Sequence, residues 1–204
     1  MNVLALDLSS STGWAVVQRD NGKFRLVGKG LIATGRPVLD YGDYPWAYLH
    51  VAGLIASSVL CIAKTYPVDR IIIEETNKGQ NRYHQKLLEF IHCRVLDVLG
   101  AHGLTHVSYV NTKDWRKQLG ISLSKADKRA NAKLSKAKRV ANSIGSKLDK
   151  KALGISGRIT WKHLSVRYAN ERYGLNLKIK DNDIADAICI GTAYLDGAPI
   201  CTGK

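Results

Sequence analysis

The sequence predicts an α/β fold, a mixed five-stranded sheet flanked by helices. Three observations carry this. Short apolar segments of strand composition open the chain and are joined by turn residues. Strand-like and helix-like segments then alternate, and the chain closes on helical patterns alone. Its 204 residues are read as one domain spanning 1–204, large enough for a real core.

The elements follow in order. Residues 3–7 (VLALD) form a short buried strand. After the polar turn LSSSTG comes a second strand over 14–17 (WAVV), and Asn21-Gly22 is a hairpin dipeptide leading to a third strand over 24–32. Residues 33–43, with Gly35 and Pro37, form a loop. The spacing of Trp46, Leu49, His50, Gly53, Leu54, Ser57 and Cys61 predicts a helix over about 44–66, which Pro67 ends. Residues 69–74 (DRIIIE) are a fourth strand, apolar enough to be buried on both faces. A loop over 76–81 leads to a second helix over about 82–99, which turns Tyr83, Leu87, Phe90, Ile91, Val95 and Val98 towards one side. A fifth strand occupies 106–110. Helical patches follow near 112–118, 125–142 and 160–173, and the last helix runs from Asp183 to about Leu195.

Composition bounds the function. Hydrophobic residues make up 45% and charged residues 24%, the balance of a globular domain. No run of about 18 apolar residues is read, so no membrane partner is expected. The start, MNVLALDLSS, lacks a basic region before its apolar stretch, so no secretory leader is expected there. Cys61, Cys93, Cys189 and Cys201 are widely spaced, without a CxxC pair, as expected of reduced thiols in the cytoplasm. No GxxxxGK[ST] phosphate loop occurs.

The net charge of +14 is segregated. Residues 111–180 hold 19 Lys and Arg against 4 Asp and Glu, leaving 12 against 13 in the rest of the chain. A localised basic field of this size suits a polyanion, nucleic acid foremost. The predicted helices at about 112–180 therefore read as a basic, DNA-binding insertion in the domain. The run 133–139 (KLSKAKR) lies between Trp115 and Trp161, the latter followed by Lys162. Aromatic residues interleaved with charge suit a surface that grips phosphates and stacks on exposed bases; the plain alternative is a solvated helix face.

The acidic residues are few and pointedly placed. Asp7 ends the first strand and Glu74 the fourth, and polar residues at the carboxyl ends of buried strands are site candidates. On the last helix, Asp183 and Asp186 are three apart and share one face, with Asp183 in the favourable first turn. Ile184, Ala187, Ile188, Gly191 and Leu195 form the adjoining apolar face. Singly, each acid has an ordinary reading as turn-former, ion-pair partner or helix cap. Four converging carboxylates need counter-charge, and Mg²⁺ or Mn²⁺ with oxygen ligands supplies it.

These segments carry a family resemblance. LALDLSSSTGWAVV resembles the first hairpin of the RuvC family of Holliday-junction resolvases, in the RNase H-like superfamily. IIIEE is similar to its second motif, and DIADAICIG to its closing helix. Between them WRKQLGISLSKADK resembles the basic segment that touches DNA in that family. The resemblance implies an RNase H-like fold and a homodimer joined through the helix at 82–99. It also implies metal-dependent hydrolysis of branched DNA by paired nicks. By carry-over, Asp7, Glu74, Asp183 and Asp186 are catalytic and hold two ions, about 3.5–4 Å apart in such sites. Glu74 is preferred to Glu75 because the family's Glu directly follows the apolar run. Lys128, Arg116, Lys117 and Lys125, with Arg82 and Tyr83 at the second helix, would contact DNA.

The chain departs from the family in two places. The aromatic wedge expected just after the catalytic Glu is replaced by Asn77, and Tyr83 is the nearest aromatic to serve. The Lys- and Ala-rich run 131–151 is added, which is similar to the divergent versions carried by phages and large DNA viruses; a viral member would act in the host cytoplasm. Three rival readings stand beside it: a nuclease of the same fold acting on forks, flaps or RNA, an actin-like ATPase or sugar kinase, and a non-catalytic DNA-binding module. His102 and His106 read as turn residues, His84 and His163 as surface histidines in basic surroundings, and His92-Cys93 as core packing.

Overall fold

The computed structural model describes residues 1–75, 82–145 and 157–201. Five strands form one sheet: β1 (Asn2–Asp7), β2 (Ser11–Asp20), β3 (Lys23–Ala33), β4 (Arg70–Glu74) and β5 (Val107–Val110). Their order is β3-β2-β1-β4-β5. The first three are antiparallel neighbours, whereas β4 joins β1, and β5 joins β4, in parallel. The sheet is mixed for a simple reason. Tight turns can link only antiparallel strands, and the two parallel additions each follow a helix that carries the chain back.

Those helices are α1 (Trp46–Thr65) and α2 (Arg82–Ala101). After β5 come α3 (Thr112–Gln118), α4 (Lys125–Ser143), α5 (Trp161–Tyr173) and α6 (Asn182–Leu195). Side chains alternate across a strand, so β1 divides its apolar residues between two cores. Val3 and Ala5 pack with Ile72, Trp115, Leu164, Ile188 and Ile190 on the face covered by α3, α5 and α6. Leu4 and Leu6 pack with Ile71, Ile73, Val51, Ile55, Ile91 and Val95 under α1 and α2.

Several expectations are corrected. The second strand begins at Ser11 rather than Trp14. The turn is shorter because Ser9 and Thr12 bond across it: Thr12 Oγ1 donates to Ser9 O at 2.6 Å and accepts from Ser9 N at 3.1 Å. The expected loop over 33–43 contains a 3₁₀ turn, Val38–Tyr41. The first helix is present, but the predicted periodicity marks its outer side. Trp46, Leu49 and Leu54 are exposed, while Ala47, Val51, Ala52, Ile55, Ala56, Val59 and Ala63 are buried. A helix apolar all round offers two faces to periodicity, and contact with the sheet selects the small-residue one. This helix is also long and apolar enough to cross a membrane by composition, contrary to expectation; its inner side is core.

Among the described residues the cysteines are free. The loop at 76–81, including Asn77, and the part of the 131–151 run beyond 145 lie outside the described residues.

Candidate active site

Four carboxylates meet at one end of the sheet, on the face covered by α6. The strand period explains two of them. Asp7 follows Val3 and Ala5, and Glu74 follows Ile72, so both point to the α6 side. Leu6 pairs with Ile73 in the parallel ladder, which brings the two acids to the ends of adjacent strands. The other two come from the first turn and a half of α6, whose start rests directly on β2. Gly13, the antiparallel partner of Asp7, makes this approach sterically feasible: a Cβ there would stand 1.9 Å from the Asp183 carbonyl oxygen. Farther along α6, a Cβ at Gly191 would meet Val17 at 3.0 Å and Ala5 at 3.1 Å. Two glycines on opposite partners therefore set how closely helix and sheet pack.

The carboxylates are individually held. Ser11 Oγ donates to Asp183 Oδ2 at 3.1 Å. Thr112 Oγ1 and Trp115 Nε1 both donate to Glu74 Oε1, the latter at 3.3 Å. Asp186 is buried, and its Oδ1 has no hydrogen-bond partner. Glu75 turns elsewhere, accepting from Asn111 Nδ2 at 3.0 Å and from the Cys201 thiol at 3.4 Å. The structure thus separates the two adjacent glutamates, and Glu74 is the inward one.

Electrostatics records the gathering. Burial pushes the Asp7 carboxyl well above the usual range, and Glu74, Asp186 and Asp183 push it further, against Lys162. Asp186 is raised to about 6, first by burial and then by Glu74 and Asp183, while Ser165 and Arg116 pull it down. Like charges in a poorly hydrated place favour protonation unless a cation intervenes. Among the described residues, no three His, Cys, Asp or Glu side chains stand in ligand geometry around a common point. The donor set still suits a hard divalent ion: the four candidate ligands are carboxylates, and the orphaned buried Asp186 Oδ1 lacks a partner that such an ion would supply.

By sequence, no protein-family model and no curated protein matches the chain. By structure, Thermus thermophilus RuvC in complex with a Holliday junction substrate superposes over 96% of this chain and 94% of that one, with a TM-score of 0.62 at 14% identity. This chain has the RuvC fold. A second Thermus thermophilus RuvC structure matches over 96% and 94% with a TM-score of 0.55 at 16% identity. The yeast mitochondrial Holliday junction resolvase matches over 95% of this chain and 78% of that one, with a TM-score of 0.51 at 10% identity.

On this RuvC fold the basic residues fall into two groups. Lys117, Lys125 and Lys128 are exposed, as are Arg82 and Tyr83 at the start of α2, Tyr83 being 75% exposed. Ser124 and Asp127 close the N-terminus of α4 as a capping box. That helix buries only Leu134 and Ala141 and turns Lys133, Lys136, Lys138 and Arg139 to the surface. Asn131 ties it to the chain before α5, bonding Ile159 through both backbone groups.

Arg116 belongs to neither the surface nor the core; it is half-buried. Trp115 is fully buried, which corrects the expectation that it stacks on exposed bases. Its indole is needed to fill the core beneath α3 and to reach Glu74. His163 Nδ1 meets Thr160 N and Oγ1 and closes the start of α5. His92 packs in the core, bonded to the Tyr109 hydroxyl at 3.1 Å, and burial pushes it down to about 4. Cys93, its neighbour, is exposed instead.

Sequence reasoning missed Ser11, Thr112 and Ser165, and read Lys162 as part of a phosphate-gripping surface rather than as a neighbour of Asp7. Only Thr112 carried a usable signal. It lies three residues before Trp115, on the same face of a short helix that Asn111 caps by accepting from Lys113 N.

Proposed function

We propose that this chain is a Mg²⁺- or Mn²⁺-dependent endonuclease that cuts branched DNA, four-way junctions foremost, by paired phosphodiester hydrolysis. One observation carries the reading. Carboxylates from β1, β4 and α6, far apart in sequence, gather at one end of the sheet with a buried oxygen left unpartnered. The likeness to RuvC supports the same substrate.

Asp7, Glu74, Asp183 and Asp186 would hold two ions per site. When bound, the metal supplies positive charge that keeps these carboxylates ionised and polarises the phosphodiester. The chain's own residues do the rest. Ser11 fixes the Asp183 rotamer, and Thr112 and Trp115 fix Glu74. Water attacks phosphorus, the bond to the leaving 3′-oxygen breaks, and that oxygen takes up a proton. Lys117, Lys125, Lys128 and the exposed cations of α4 hold phosphates, so binding weakens steeply as salt rises. Tyr83 and Arg82 stand at the start of α2, where strands part in this reading.

Two symmetric nicks need two sites, and we assign a homodimer about a two-fold axis to the outer side of α1 and α2. A groove of about 530 Å³ lies there, lined by Leu49, Glu89, Phe90, Cys93, Arg94 and Asp97.

The test is cleavage of an end-labelled four-way junction in Mg²⁺ or Mn²⁺, wild type beside Asp7→Asn. Paired nicks near the branch, lost in the variant while binding persists, are expected. Binding without cleavage in either metal would leave a non-catalytic module, and preferred cutting of forks, flaps or RNA would move the substrate.

A further inference from the structure

Among the described residues Arg116 forms no ion pair. Its guanidinium carbon lies 4.8 Å from the centre of the Trp115 ring and 5.2 Å from that of Trp161. The two indoles come from α3 and α5, so the planar group is bracketed by two separate elements. Its Nε is buried and has no hydrogen-bond partner. Among the described residues the only ion pair is Arg94 with Asp97, at the opposite helix layer. A half-buried guanidinium that lacks both a carboxylate and a full set of acceptors is costly unless an anion arrives.

The position of this cation is informative. Trp115, the ring it covers, donates its own N–H to Glu74 at 3.3 Å. Arg116 is also near enough to Asp186 to lower that acid's pKa, yet the two form no ion pair. The first turns of α5 complete the surroundings: Trp161 brackets Arg116, Ser165 is buried beside Asp186, and Lys162 acts on Asp7. Arg116 thus stands at the rim of the carboxylate cluster, whereas Lys117, Lys125 and Lys128 lie on open surface.

We propose that Arg116 is a catalytic residue, a guanidinium fixed between Trp115 and Trp161 so that its free N–H groups bind the non-bridging oxygens of the scissile phosphate. Trp161 is the positioning residue. The proposal rests on the nuclease reading above and sharpens it. Arg116 is separated from the surface cations that grip the DNA backbone and given to the reacting phosphate. Charge builds on those oxygens as water adds, and a cation already stacked and desolvated meets it without reorganisation. Planarity matters, because lysine offers neither the fork of donors nor the stack.

The experiment separates rate from affinity. Single-turnover cleavage of a four-way junction at saturating protein in Mg²⁺ is compared with junction binding in EDTA, for Arg116→Ala, Arg116→Lys, Trp161→Leu and Trp161→Phe. Arg116→Ala should slow cleavage about 100-fold, the order seen for loss of one transition-state donor, with binding within about threefold. Arg116→Lys should remain at least about 10-fold slow despite its charge. Trp161→Leu should be slowed about 10-fold, and Trp161→Phe should recover most of the rate because a phenyl ring still stacks. If Arg116→Ala does not fold, the lysine variant decides. Binding that weakens in parallel, with full cleavage restored by excess protein, would make Arg116 a backbone contact and overturn the proposal. So would unchanged cleavage by both Arg116 variants. A wild-type chain that binds junctions and cuts no nucleic acid overturns the nuclease reading itself, an outcome distinct from both.

Discussion

Asp186 sits in α6 with one oxygen buried and unpartnered, and its carboxyl is raised to about 6. A carboxyl raised on folding stabilises the folded chain fully below its unfolded value near 4. That contribution is lost as pH rises through about 6, on the order of 3 kcal/mol for a shift of this size. The metal-free protein should therefore lose stability between pH 4 and 7, beyond what its other groups impose, and Asp186→Asn should flatten this fall. At pH 7.5 the asparagine variant should melt higher than wild type without metal, yet gain less from Mg²⁺. Thermal melts across pH, with and without Mg²⁺, check this; a variant that melts lower at pH 7.5 in EDTA would contradict it.

At the scale of elements, the decisive contact is α6 on β1 and β2. The helix opens the acid pair Asp183 and Asp186, but its value lies in where Gly13 lets it land. Alanine at Gly13 would drive a methyl group into the Asp183 backbone, and neither a strand paired on both sides nor a helix start yields readily. Gly13→Ala should cost about 1–3 kcal/mol, a fall of about 5 °C in a chain of this size. It should also abolish the Mg²⁺-induced rise in melting temperature, because the acid pair is displaced from Asp7. A Gly13→Ala protein with the wild-type melting point and Mg²⁺ response would show that the approach is not needed.

For the whole molecule, two layers of helices divide the work. On one side of the sheet α5 and α6, with α3, carry Asp183, Asp186 and the bracketed Arg116, and lead to the basic α4. On the other, α1 and α2 form an apolar layer whose outer surface keeps Trp46, Leu49, Leu54 and Leu96 exposed. Exposed apolar side chains clustered beside a groove suit a partner, and the dimer proposed above would cover them. Leu96→Glu should shift the chain to monomer in light scattering while leaving its helical content intact. It should also convert paired cuts into single nicks. A dimer of unchanged strength would move the interface off this layer.

Much of this was legible before folding. The strand and helix order, the acids at strand ends and the acid pair three apart on a helix all depend on local periodicity, which sequence states directly. The segregation of charge into 111–180 is likewise a property of the chain alone. Other features depend on which surfaces meet. Helix α1 is apolar all round, so only contact with the sheet chose its buried side. Trp115 and Trp161 read alike in sequence, yet one became core and the other a bracket, because Trp115 packs with Val3, Ala5 and Ile72 of the sheet whereas Trp161 stays exposed at the start of α5. Ser11, Thr112 and Ser165 are ordinary polar residues until three elements bring them against carboxylates. Sequence determined the fold class and marked the four acids as candidates, since periodic burial is written residue by residue; tertiary structure decided what surrounds those acids, since that depends on contacts between separate elements, the farthest being Ser11 with Asp183, 172 residues apart.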